Sequence, residues 1–534
     1  MPPLYKRFLT ADPLPTLSLL AFTGCLCLLH FSPQTFMPHD EGWYAQQARW
    51  FLETGDWVTL RWWDTVIFDR CIGLQWLIAL SYSVLGISEL AARLPSTLAC
   101  LTCVWLTYQI GDRCISREVG WLGGAILAVT PVWMQLSWLT MQDVLLTCIE
   151  LVGIWALLQA ESAPRHRWQW GLLAGSTVGL GFLVKSIMIF LPWLALMPYL
   201  VLEQRRHRHL SNGGFYLGLL LGALPVAVWL ALAVDRYGWL PLQQLFGKLL
   251  FLAQEDFHQV GPLYYFWNIP ANAFPWPLVA LPGVWWGLRG QNKHRRWLWL
   301  GYPLVFLLEL TLFKTRTWYY PAQLLPFVAL LAALSLSHLR AVYGGQSARR
   351  KWLLAFSYAT AGLGGLVVLA GLGLIRYPHL AAVDNLPAYG LLAIAVGIGW
   401  LLPGLIAYRD RRRPPPQRAS VGWQLSWLVA PGSAIALLFA TGLWGNYSPE
   451  VKMALQTPAI AAVLSQHPVS LVTPQPAEKS AVLLTVYTPT LGQRFDTPTD
   501  IPPGLYAWVD PQYQNQLAAA LVLGEFRGWH LVQF

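Results

Sequence analysis

Phe36-Met37-Pro38-His39-Asp40-Glu41-Gly42-Trp43-Tyr44 opens a polar stretch that runs to Phe68-Asp69-Arg70. It follows directly on the first long apolar run, residues 14–36. Two adjacent carboxylates, Asp40 and Glu41, therefore stand where a membrane span would meet water. A helix-like segment with Arg49 and Glu53 among aromatics comes next, and a second acid–base pair follows at Asp69 and Arg70. Only 12% of the residues are charged. Acids gathered at one end of an apolar run point to chemistry at a membrane face; the plainer alternative is a solvated loop with a helix cap.

The composition favours the membrane. Of 534 residues 55% are hydrophobic, 30 are Trp, and the mean hydropathy is +0.44. A soluble protein carries about twice this charged fraction. Apolar runs of about twenty residues recur along most of the chain, the pattern of an all-α polytopic membrane protein. The net charge of +10 is accounted for by topology and calls for no nucleic acid. The seven cysteines, mostly inside apolar runs, have no metal-ligand spacing and read as core residues. The first apolar run reads as a retained signal anchor, since it lacks a small-residue cleavage site.

Basic clusters lie between the runs: Lys6-Arg7, Arg113 with Arg117, Arg165 with Arg167, Arg205 to Arg208, Arg289 to Arg296, Arg340 to Lys351, and Arg409 to Arg418. Short cytoplasmic loops are rich in Lys and Arg, so an even number of crossings should separate neighbouring clusters. Three apolar runs between Lys6-Arg7 and Arg113 break that rule unless one does not span. The run 72–87, the shortest, is expected to lie at the outer surface as an amphipathic helix. Thirteen spans remain: 14–36, 89–110, 119–138, 141–160, 169–184, 186–202, 213–234, 263–288, 297–313, 318–339, 352–375, 386–407 and 421–443. The N-terminus is then cytoplasmic and the C-terminus outside. Residues 1–443 form the membrane domain, with the outer loop 37–88 and segment 235–262 contributing the site. Residues 444–534 form a small outer α/β domain, with strands expected at Val469–Val472, Ala481–Tyr487, Leu505–Val509 and Trp529–Phe534 and a helix near 511–524.

The outer face then collects Asp40, Glu41, Asp69, Asp143, Glu255 and Asp256 with Arg70, Lys185, Lys314, Arg316 and His258. Cations kept on the face that the topology rule disfavours are candidates to bind an anion, and phosphate suits both Lys and Arg. Snorkelling to lipid headgroups is the alternative. Gly179, Gly181 and Ser186 would leave room for a ligand beside Lys185. Asp40, with Glu41 beside it, is the first candidate for a general base or a stabiliser of a cationic sugar transition state. Asp143 is the second, with an N-cap as its alternative. Asp69 and His258 would suit a divalent metal ion.

These residues resemble a known family. Asp40-Glu41-Gly42-Trp43-Tyr44, Ala48-Arg49 and Leu52-Glu53-Thr54-Gly55-Asp56-Trp57 look like the first outer loop of membrane glycosyltransferases of GT-C type. The nearest group contains the protein O-mannosyltransferases and the bacterial lipid A aminoarabinose transferase. Leu85 to Ser96, Gly181-Phe182-Leu183-Val184-Lys185 and Trp318-Tyr319-Tyr320-Pro321 are similar to further motifs in the same order, over residues 36–330. The resemblance implies a sugar taken from a polyprenyl or dolichyl phosphate and passed to a lipid, glycan or protein acceptor on the outer face. It implies Asp40 and Asp143 as the acids. Arg70, Lys185, Lys314, Arg316, Tyr44 and Tyr319 would hold the carrier, and Asp69 with His258 would reach a metal. The chain departs from the family at Arg70-Cys71-Ile72, where Lys-Pro is usual, at Trp43, an Arg in the aminoarabinose enzyme, and at Lys314-Thr315-Arg316-Thr317. The expectation is a glycosyltransferase of a bacterial inner membrane. A lipid-linked sugar flippase is the alternative, against which the charges sit at span ends and no internal repeat is visible.

Overall fold

The computed structural model describes residues 13–29, 34–254, 259–290, 295–377, 385–517 and 521–534. The acidic stretch folds as helix α1 (Asp40–Thr54), a two-stranded ribbon of β1 (Arg61–Trp62) and β2 (Thr65–Val66), and helix α2 (Gly73–Leu85). Asp40 and Glu41 in the first turn of α1 suit its positive end. Gly55 ends the helix with φ 70°, a left-handed turn that glycine adopts without steric cost. α2 covers the run expected to lie at the surface and, with 13 residues, is short of a span. It buries Leu74, Gln75, Ile78, Ala79 and Tyr82 on one face and exposes Leu77, Leu80 and Val84 on the other.

Eight described helices are long and apolar enough to cross a membrane, or nine if the bent pair Arg117–Ala128 and Pro131–Trp138 counts as one span. The other stretches expected to span hold shorter or broken helices. Leu14–Cys27 has 14 residues. Residues 186–202 form a 3-10 turn and two six-residue helices, with Pro198 opening the second. Residues 263–288 divide into Tyr264–Asn272 and Trp276–Arg289.

Contacts between helix ends show how the chain reverses between Glu89 and Tyr237. Helix α3 (Glu89–Cys114) leads from the acidic loop to the opposite face. Helix α4 (Gln142–Ser162) starts at Asp143, paired with Lys185 at the end of helix α5 (Arg167–Lys185). It finishes at Glu161, paired with Arg206 and Arg295. These ends are about 27 Å apart at 1.5 Å per residue, so the segment from Lys185 to Arg206 recrosses the body. Helix α6 (Gly213–Tyr237) then returns to the acidic loop, where Arg236 pairs with Asp56 at 2.7 Å. Acids and aromatics gather at one face, and Glu118–Arg340, Glu161–Arg206 and Tyr343–Asp410 gather at the other.

The glycines near Lys185 serve packing, not ligand room. Gly171, Gly175 and Gly179 of α5 face Gly214, Gly218 and Gly222 of α6 so closely that a β-carbon at any of them would clash with the facing helix; at Gly171 the obstacle is the Asn212 side chain. Gly181 packs on Ile189.

In the tail, five strands form a sheet in the order β4-β3-β5-β7-β6: β3 (Val469–Val472), β4 (Leu491–Phe495), β5 (Tyr506–Val509), β6 (Leu521–Phe526) and β7 (Trp529–Gln533). Two expectations fail here. Ala481–Tyr487 is helical, within α8 (Lys479–Tyr487), because β3 and β4 run parallel and need a crossover. Glu478 caps that helix, accepting from the Ser480 and Ala481 amides. The expected helix near 511–524 is a 3-10 turn, Pro511–Gln516, followed by β6, which forms an antiparallel hairpin with β7.

The tail is docked on the acidic loop. Trp50, Trp62 and Trp63 share one core with Val482, Leu484, Trp508 and Leu531. Trp62 Nε1 donates to the Pro476 carbonyl at 2.8 Å, and Arg49 donates to the carbonyls of Thr488 and Pro489.

Candidate active site

Helical periodicity places Asp40 and Tyr44 one turn apart on one face of α1. That face meets the loop before α2, which supplies Asp69, Arg70 and Cys71. Arg70 Nη1 lies 2.8 Å from Asp40 Oδ1, its Nε lies 3.7 Å from Asp69 Oδ2, and its guanidinium sits 5.0 Å from the Tyr44 ring centre. Opposite them Lys185 Nζ lies 2.5 Å from Asp143 Oδ1, with the rings of Tyr319 and Tyr320 at 5.0 and 5.4 Å. The chain can leave α5 beside Lys185 because Ser186 takes φ 53°.

Helix α7 (Leu240–Gln254) brings a cation that sequence reasoning missed. Lys248 pairs with Asp69, and Gln244 of the same helix accepts from the Phe68 amide at 2.6 Å. The signal available was one lysine four residues after a glutamine in an otherwise apolar helix. Together these groups line a cavity of about 350 Å³ that continues along Ile187, Phe190, Leu191, Leu245, Leu310 and Phe313. One end is charged and the rest is apolar.

Three carboxylates and three cations at that end neutralise one another pairwise. Burial works against the charge on Arg70, but Tyr44, Asp40 and Asp69 around it hold its pKa above the ordinary value. Burial, and then Arg70 itself, push the Lys248 ammonium below the usual lysine range, while Asp69 opposes them. Burial also raises the Tyr44 phenol, which stays a neutral hydroxyl. An anion entering here would take over the cations and release the carboxylates to accept protons.

Not every expected residue is in the cavity. Glu41 faces away from it, fully buried, and binds Arg93 in a bidentate pair at 2.6 and 2.9 Å. It also accepts from the amides of Met37 and Thr140. Its role is to tie the loop to α3 and to the turn before α4, since α1 turns about 100° between Asp40 and Glu41. Arg316 is buried and donates to the carbonyls of Thr311, Lys314 and Val260, so it folds its own loop. Lys314 is exposed and outside the cavity lining. Asp69 is engaged by Lys248 and Arg70, and His258, its expected metal partner, lies outside the described residues. Among the described residues no group of three His, Cys, Asp or Glu is placed to hold a metal ion.

The sequence model of a family described as dolichyl-phosphate-mannose-protein mannosyltransferase matches residues 69–231. An undecaprenyl phosphate-alpha-4-amino-4-deoxy-L-arabinose arabinosyl transferase of Aeromonas salmonicida is 28% identical over 458 residues, 81% of this chain and 77% of that one. The enzyme of that description from Pseudomonas aeruginosa strain PAO1 is 29% identical over 429 residues, 78% of this chain and 75% of its own. In fold, the chain is similar to ArnT from Cupriavidus metallidurans bound to undecaprenyl phosphate. The TM-score is 0.74 at 17% identity, over 98% of each chain. It is similar more distantly to the Archaeoglobus fulgidus oligosaccharyltransferase AglB in complex with an inhibitory peptide and a dolichol-phosphate, with TM-score 0.52 at 10% identity over 93% of this chain and 70% of that one. In sequence and in fold the chain is thus similar to the GT-C type membrane glycosyltransferases of the protein O-mannosyltransferase and aminoarabinose transferase family.

Proposed function

We propose that the protein transfers a sugar from a polyprenyl monophosphate carrier to an acceptor hydroxyl or phosphate at the outer membrane face. The observation that carries this reading is one cavity with Asp40, Asp143 and three cations at its charged end and an apolar channel leading away. Arg70, Lys185 and Lys248 would hold the carrier phosphate and the channel the first prenyl units. Once Arg70 turns to the phosphate, Asp40 is free to act. The acceptor oxygen attacks the anomeric carbon, the proton of a hydroxyl acceptor passes to the Asp40 carboxylate, and the bond from that carbon to the phosphate oxygen breaks. The leaving electron pair stays on the phosphate, where the cations stabilise it. Asp143 holds the Lys185 ammonium in position.

The relatives named for an aminoarabinose carrier make an undecaprenyl-linked donor the first to try. The basic clusters favour an orientation with the opposite end in the cytoplasm of a bacterial inner membrane and the site and tail outside. The test is transfer from a radiolabelled panel of undecaprenyl-phosphate sugars, with membrane extract as acceptor, by wild type and Asp40→Asn. Transfer by wild type that falls at least ~100-fold in the variant, with carrier binding kept, is expected. Equal binding and no transfer by either protein would refute it.

A further inference from the structure

On the other face of α1 lies a second cavity, of about 420 Å³, between the membrane domain and the tail. Its volume falls within the ~300–1,000 Å³ of small-molecule sites. Ala45, Gln46 and Arg49 line it from α1, Tyr82 from α2, Ser88 and Glu89 from the start of α3, and Lys452, Tyr487 and Pro489 from the tail. The diameter of one helix, about 10 Å, separates it from Asp40.

Its charges are internally matched. Lys452 Nζ is 2.5 Å from Glu89 Oε1, and Arg49 Nε is 2.6 Å from Glu53 Oε1. The Tyr487 hydroxyl donates to Glu89 and accepts from the Phe36 amide. Gln46 is the exception. It is 1% exposed, and neither its amide nitrogen nor its amide oxygen has a hydrogen-bond partner among the described residues. Buried amides are almost always satisfied, so this one calls for a partner that the folded chain does not supply. Aromatic walls from Phe36, Tyr82 and Tyr487 beside an amide that can both donate and accept suit a ring with hydroxyls on its edge and C–H groups on its faces. A balanced charge set favours an uncharged ring.

We propose that this cavity is a second carbohydrate site, which takes a neutral saccharide of the acceptor while the acceptor's reacting oxygen reaches Asp40 around the Phe36–Asp40 turn. This rests on the transferase reading for its biological use, but the binding itself does not. Gln46 turns its amide to the sugar hydroxyls, and Glu89 and Arg49 orient the ring edge. The site holds the glycan in place and performs no chemistry.

The experiment is saturation-transfer NMR on the detergent-solubilised full chain with three neutral disaccharides: mannobiose, lactose and N,N′-diacetylchitobiose. Each is measured without donor, on wild type, Gln46→Met and Asp40→Asn. At least one disaccharide should bind wild type and Asp40→Asn alike, and bind Gln46→Met about 10-fold more weakly. The Gln46→Met protein should melt no lower than wild type, because the lost amide has no partner to abandon. It should also raise the acceptor KM and leave kcat unchanged. Absence of saturation transfer from all three sugars, or equal transfer in Gln46→Met, overturns the proposal. Loss of the transferase reading would appear separately, as absent label transfer by a wild-type protein that still binds the disaccharide.

Discussion

At the residue scale the site depends on which cations meet the carrier phosphate, and Lys248 is the most informative of them. Its pKa is lowered by burial and by Arg70, so it loses its proton at a lower pH than a free lysine does. Carrier affinity should therefore hold at neutral pH and fall as the pH climbs toward the usual lysine range. Lys248→Arg, whose guanidinium stays charged throughout, should flatten that alkaline limb in a binding titration. Lys248→Met should weaken binding about 10-fold at neutral pH and remove the limb. An unchanged limb in Lys248→Arg would assign the loss to another group. Asp40, Asp69, Arg70, Asp143 and Lys185 were legible because charge is scarce and these charges cluster at one membrane face. Glu41 was misplaced among them although the periodicity that pairs Asp40 with Tyr44 also turns Glu41 away. Its partner Arg93 sits inside an apolar run fifty-two residues later, and only the folded chain shows that pairing.

Elements place those residues, and the tightest placement is that of α5 on α6. Three glycines spaced four apart on each helix bring the two backbones into contact, as small residues do between membrane helices. Lys185 stands at the end of α5, so this seam holds the helix that carries it. Gly179→Val would press a branched side chain against the Gly222 backbone, where no side chain can move aside. Overpacking of this kind costs about 1–3 kcal/mol. Gly179→Val should lower the melting temperature by several degrees and weaken carrier binding, whereas Gly213→Ala, at a position open for at least 4 Å, should do neither. Equal behaviour of the two variants in thermal melts would remove the seam from the account. The spacing is plain in the sequence, yet glycine reads equally as room for a ligand and as room for a neighbour. Strand and helix are confused in the same way at Ala481–Tyr487, where short-range composition favours a strand and the parallel pairing of β3 with β4 requires a crossover.

At the scale of the whole molecule the tail completes the outer loop. The charge pattern predicts an end to the membrane domain, but tryptophans more than 400 residues apart from their partners in the tail carry no mark of the contact. Trp62 is the keystone: it stacks on Trp43 at 4.3 Å, meets Trp50 edge-on at 5.5 Å, and donates to the Pro476 carbonyl of the tail. α1 carries both Trp43 and Asp40, so a loosened tail should be felt in the active cavity. Trp62→Ala removes a fully buried indole, a change that costs about 3–5 kcal/mol in a protein core. Because the membrane helices keep their own packing, that loss should fall on the docking of the tail and not on the insertion of the chain. Limited proteolysis should then release a fragment containing residues 449–534 from Trp62→Ala under conditions that leave wild type whole. Sugar transfer should fall in parallel, although Trp62 lines neither cavity. A tail that is cut away while transfer continues at the wild-type rate would mean that α1 holds Asp40 unaided.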